Sequence, residues 1–161
     1  MSPDKSQKLI SSFPKLYRDA HPQATSMMRY GFEIGDGWYH LIFDLSKNIE
    51  SQARLQGIDS ESNDWPVAIQ VKEKFGALKF YCSMGNKTPQ EQVIEKHGDL
   101  LSARPFPNNE AIANLIRSAE KASTSICERC GSKGVLRRHS WVKTLCDSCD
   151  NTRTEGYIST L

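Results

Sequence analysis

Two Cys-x2-Cys pairs constrain this chain more than any other feature in it. Cys127-Glu-Arg-Cys130 is followed by Cys146-Asp-Ser-Cys149. Each pair presents two thiols from one tight turn, and two such knuckles at this separation suit four thiolates around a single tetrahedral ion. The expected cofactor is one Zn2+ held by Cys127, Cys130, Cys146 and Cys149. Four thiolates close the coordination shell and leave no position for a reactive water, so the expected role is structural. Between the knuckles only Val135, Leu136, Trp141, Val142 and Leu145 offer a core. Metal binding worth roughly 10–16 kcal/mol can replace what such a small core lacks. His139 is the alternative ligand, but beside four thiolates it reads as a surface residue.

The fifth cysteine, Cys82, stands alone. It falls at an inward strand position and reads as a small buried apolar residue. The chain opens without the apolar core of a signal peptide, and no apolar run approaches the roughly 20 residues that span a bilayer. A reducing, cytoplasmic setting is the expectation, with metal preferred over disulfides. The formal charge is +2 over 161 residues. So small an excess supports nucleic-acid binding only where basic residues cluster.

Residues 4 to 20 carry Leu9, Ile10, Phe13, Leu16 and Tyr17 at helical spacing, with Pro14 as a kink or division. A stronger stripe follows: Trp38, Leu41, Ile42, Leu45 and Ile49, capped by Asp36 and fading at Gly57. Val67, Ile69 and Val71, then Leu78, Phe80 and Cys82, alternate on either side of Phe75-Gly76 and predict an antiparallel hairpin. A helix is expected from Thr88 and Pro89. Another, capped by Asn108 or Asn109, carries Ile112, Leu115, Ile116 and Ala119 and leads into the first knuckle without a linker.

Two basic clusters are candidate ligand surfaces. Gln70, Lys72, Lys74, Lys79 and Tyr81 share the outward hairpin face, where ammonium groups and a phenol ring can hold phosphates or a stacked base. A solvated sheet face is the ordinary role for such lysines. Arg137, Arg138, Trp141 and Lys143 fall between the knuckles; arginine can fork onto phosphate and Trp141 can stack. Equally, Trp141 can be ribbon core and the arginines ordinary ion pairs. Gly35-Asp36-Gly37-Trp38 invites a phosphate-loop reading but lacks the spacing and the lysine of one. A tightly packed helix start with Trp38 in the core fits it better. No catalytic residue is assigned.

The series Gly35-Asp36-Gly37-Trp38, Val71-Lys72-Glu73-Lys74-Phe75-Gly76, Leu78, Phe80-Tyr81, Ala119-Glu120, Cys127-Glu-Arg-Cys130-Gly131, Leu136-Arg137, Trp141 and Thr144-Leu145-Cys146-Asp147-x-Cys149 resembles small zinc-ribbon proteins of phages, prophages and bacteria, mostly hypothetical proteins. The resemblance spans roughly residues 31 to 150. It implies no particular activity, and through the phage setting it raises the expectation of a binding protein that acts on host machinery or host defence. The expected fold is α+β: helices on a small antiparallel hairpin or sheet in residues 1–125, and a four-cysteine zinc ribbon in 126–161 packed on that body. The expected function is a non-enzymatic protein binding an anionic ligand, nucleic acid or nucleotide-like. The alternative is a protein-interaction module that inhibits a host protein, and an enzyme acting on nucleotides comes third. No membrane partner is expected.

Overall fold

The computed structural model describes residues 1–84 and 109–158, the side chains as far as 152. The helix expected from Thr88 lies outside the described residues. The fold is α+β, with a three-stranded sheet and a separate two-stranded ribbon.

Helix α1 covers Pro3–Ser12. It is shorter than the expected 4 to 20 because the ring of Pro14 disfavours helical backbone at the residue before it, and Phe13 sits at φ −134° and ψ 58°. The chain then turns back, and the Leu16 carbonyl accepts from the Ala68 amide at 2.8 Å. Strand β1, Phe32–Glu33, runs parallel to β2, Val67–Lys74, through Phe32–Val71 and Glu33–Lys72. The sheet is therefore mixed, not purely antiparallel. Two residues of strand inside a connecting segment leave no alternation to detect.

Helix α2, Tyr39–Leu55, follows a single 3-10 turn at Asp36–Trp38. It buries Ile42, Leu45, Ile49 and Ala53 along one stripe. Asp36 does not cap it. Its carboxylate accepts from the Ser2 amide at 2.6 Å and pairs with Lys5 at 3.5 Å, tying α1 to the start of α2.

Strands β2, Val67–Lys74, and β3, Ala77–Ser83, form the expected hairpin, with a bulge between Ala68 and Gln70. The turn is Phe75-Gly76, and both residues have left-handed φ, 55° and 78°. A two-residue hairpin loop of the primed type needs positive φ at both positions; Gly76 adopts it freely and Phe75 does so under strain.

Helix α3, Glu110–Ser123, is capped by the Asn109 side chain, which accepts from the Ile112 amide at 3.2 Å. It closes the open edge of β3. Ser123 Oγ accepts from the Leu78 amide at 2.9 Å, and Glu120 Oε1 accepts from the Phe80 amide at 3.3 Å. Alternate strand amides thus meet side chains three apart on one helix face, and the edge is not left for another chain to pair with. One core joins Leu9, Tyr17, Trp38, Ile42, Ile49, Val71, Leu78, Phe80, Ile112 and Ile116.

The ribbon consists of β4, Val135–Arg137, antiparallel to β5, Lys143–Leu145, followed by helix α4, Asp147–Ile158. No helix among the described residues is long and apolar enough to cross a membrane.

Candidate metal centre

The sulfurs of Cys127, Cys130, Cys146 and Cys149 all lie within 4.8 Å of one another. Sulfurs bound at about 2.3 Å to a tetrahedral ion sit about 3.8 Å apart. Cys130 and Cys146, at 3.6 Å, are already near that spacing. The four cysteines can therefore hold one metal ion, and soft thiolate donors in this geometry suit zinc-like ions.

Each knuckle is built by its backbone. In the first, the Gly131 amide donates to the Cys127 carbonyl at 2.9 Å, and the Cys127 amide donates to the Ser132 carbonyl at 2.7 Å. Gly131 adopts φ +83°, which a side chain would strain. The second knuckle is the first turn of α4, where the Asp150 amide donates to the Cys146 carbonyl at 3.0 Å.

The thiols are unequal. Ser148 Oγ, 3.3 Å from Cys146 Sγ, and then the Cys149 amide lower the Cys146 pKa to about 6. Hydrogen bonds from the Ser132 side chain and backbone lower that of Cys130. Desolvation and then the neighbouring sulfurs push Cys149 up to about 12. Crowded sulfurs resist full ionisation unless a cation neutralises them. Cys82 lies apart in the core, where burial pushes its thiol up to about 12.

The Gly-Asp-Gly-Trp stretch is the socket for the first knuckle. The Gly35 amide donates to Glu128 Oε1 at 3.0 Å, and the Gly37 amide donates to the Glu128 carbonyl at 2.8 Å. The buried indole of Trp38 donates to the Ile126 carbonyl at 2.8 Å. A Cβ on Gly37 would stand 2.2 Å from the Cys127 carbonyl oxygen and 2.4 Å from the Gly131 nitrogen. Only glycine lets the two backbones approach this closely. Both glycine amides are taken up by the knuckle, which removes the donors a phosphate loop would need.

A second contact joins ribbon and hairpin. Thr144 Oγ1 donates to the Gly76 carbonyl at 2.6 Å, and Leu136 packs on Gly76. Glu73 Oε1 accepts from the Gly76 amide at 2.6 Å, while its Oε2 lies 3.2 Å from the Lys143 ammonium. Lys143 also reaches Glu128 Oε2 at 2.7 Å. Glu73 and Glu128, both buried, thus share one lysine between hairpin, ribbon and knuckle. Sequence reasoning missed both acids. The strand alternation did hold the signal, because it sets Glu73 on the same side as the buried Val71.

The structure gives the eight candidate ligand residues different surroundings. Lys79 pairs with Glu120 at 2.9 Å. Arg137 is bonded to Asp147 and lies 3.6 Å from Asp150. Lys143 belongs to the acid pair just described. His139, the alternative metal ligand, stands 3.1 Å from both Asp150 oxygens and outside the sulfur group. Lys72 lies over the Tyr81 ring at 5.5 Å. Lys74, Arg138 and Trp141 are exposed, and the Trp141 indole points to Glu73 at 3.5 Å.

A cleft of about 1080 Å³ opens between sheet and ribbon. It brings Lys72 of the hairpin together with Trp141 and Lys143 of the ribbon. Glu33, Asp36, Glu73 and Glu128 also line it, so it is not uniformly basic. Lys74, Lys79, Tyr81, Arg137 and Arg138 do not line it. In comparisons with known proteins, no family model, no curated protein and no solved structure matches this chain.

Proposed function

We propose that this chain is a non-catalytic protein-interaction module built around one structural zinc, with its docking surface where the hairpin tip meets the ribbon. Zinc is favoured by four thiolates on two knuckles, a donor set that closes the shell. The observation that carries the docking surface is three large apolar side chains exposed at the tip and ribbon, Phe75, Leu136 and Trp141, with Leu136 packed on Gly76 and the Trp141 indole directed at Glu73. Apolar side chains gathered in one region mark partner surfaces more often than scattered ones do. Aromatic residues are also enriched at interface centres.

Nucleic acid is the second candidate, on one observation: Lys72 lines the cleft together with the exposed Trp141, and Lys74 lies over the Phe75 ring at 5.4 Å. Against a purely phosphate-binding surface, Lys79, Arg137 and Lys143 are engaged with carboxylates of the chain itself.

Native mass spectrometry of the purified protein tests the metal: one zinc per chain is expected, lost on Cys127→Ser with Cys130→Ser. A photo-crosslinking amino acid at position 75 or 136 tests the surface in cell extract. Nuclease-resistant protein adducts are expected there and not at position 55, which is exposed elsewhere on α2. Adducts destroyed by nuclease would replace the protein partner by nucleic acid.

A further inference from the structure

The tip surface combines exposed apolar side chains with cations that no carboxylate of the described residues pairs. Phe75 is 74% exposed, Trp141 65% and Leu136 41%. Phe75 and Leu136 flank the same glycine, because Leu136 packs on Gly76. Trp141 reaches Glu73, two residues before Phe75. Two of the carboxylates near this centre are turned inward, the Glu73 and Glu128 side chains being buried against Lys143, while Glu33 stays exposed on the strand beside Lys72 and is bonded by Gln70. Asp150 is buried beside His139 and Arg137. Asp147, exposed at the start of α4, is held by Arg137. Lys72, Lys74 and Arg138 have no carboxylate partner among the described residues.

We infer that this face receives an acidic segment of a partner protein, one that carries large apolar side chains among Asp and Glu residues. This rests on the interaction-module reading and adds the chemistry of the partner. The apolar anchors would cover Phe75, Leu136 and Trp141, where burial supplies affinity. The rim cations would steer and orient the acids, raising the association rate and rejecting basic segments. A nucleic-acid strand matches less of the face. Its bases can stack on Trp141 and Phe75, but an aliphatic Leu136 gives them nothing to stack on.

The full-length protein reports binding by its own fluorescence, since Trp38 and Trp65 are buried and Trp141 is the exposed indole. The probes are a short Trp-free peptide with Leu and Phe among Asp and Glu, the same peptide with Lys in place of the acids, and oligo(dT) of matching length. Saturable binding of the acidic peptide alone is expected. Lys74→Glu with Arg138→Glu should weaken it about tenfold or more. Both substitutions are on exposed positions, and unchanged zinc content and circular dichroism show that the variant folds.

Tighter binding of oligo(dT), equal binding of the lysine peptide, or no saturable binding of the acidic peptide at millimolar concentration overturns the inference. The crosslinking result separates the two levels. Protein adducts at positions 75 and 136 without acidic-peptide binding remove only the charge assignment. Absence of both removes the interaction-module reading as well.

Discussion

Gly37 shows how much one missing side chain can matter. Its Cβ would meet backbone on three sides, within 2.8 Å of the Cys130 nitrogen and closer still to Cys127 and Gly131. Gly37→Ala should therefore destabilise by about 3 kcal/mol, the upper end of overpacking costs. Gly57→Ala is the control. It has φ +71° but nothing within 4 Å, so left-handed strain alone, about 1–2 kcal/mol, is expected. Urea unfolding of both variants checks the difference. Lys143 poses the opposite problem, a charge that two buried acids require. Lys143→Met should cost about 1.5–3 kcal/mol, the range for charged hydrogen bonds. Burial by itself lowers the Lys143 pKa, but the hydrogen bonds and charges of Glu128 and then Glu73 outweigh it and raise the value. A raised lysine contributes its stability in full below its unfolded value near 10.4. That contribution fades as pH climbs through the folded value. Alkaline stability curves should show this loss in the wild type and not in Lys143→Met. Asp36 behaves in the reverse sense. The Ser2 amide, with help from Lys5, holds its pKa below the usual carboxylate range. Its contribution is present above about pH 3.9 and lost as pH falls through the lower folded value. Partial exposure to solvent keeps it small.

At the scale of elements, α3 serves as a lid on the edge of β3. Glu120→Ala would leave the Phe80 amide without its acceptor and Lys79 without its acid, at a cost of about 1–3 kcal/mol. Hydrogen exchange at Phe80 should accelerate in that variant while exchange in α2 does not. The elements themselves were largely legible in the residues. The α2 stripe, the hairpin alternation, the Asn109 cap and the four cysteines all carry local periodicity or spacing, which needs no knowledge of the fold. What was not legible is what those elements do for one another. Glu120 on a helix surface looks solvated until a strand edge lies beside it. Gly35 and Gly37 look like a helix start until a knuckle rests on them. Lys79, Arg137 and Lys143 look like ligand groups in the sequence because their acids, Glu120, Asp147, Asp150, Glu73 and Glu128, come close only in space. β1 escaped notice for a simpler reason, being only Phe32–Glu33.

For the whole molecule, the first cysteine knuckle and the body form one mechanical unit. The knuckle that carries Cys127 and Cys130 also provides the acceptors for the Gly35 and Gly37 amides and for the Trp38 indole. Chelation should therefore do more than loosen a C-terminal appendage. Amide exchange at residues 35–38 should rise together with exchange in the ribbon, and Trp38 fluorescence should shift toward that of a wetter indole. Exchange confined to residues 126–150 would show that the socket holds its shape without the knuckle. The same contact has a meaning in time as well as in space. Gly35 and its partner Glu128 are 93 positions apart in the chain. At synthesis rates of about 5–20 residues per second, the socket waits about 5–20 s for the knuckle that fills it. Throughout that interval the Gly35 and Gly37 amides and the Trp38 indole lack the acceptors they have in the fold, so the segment that carries the first two cysteines also completes the N-terminal half.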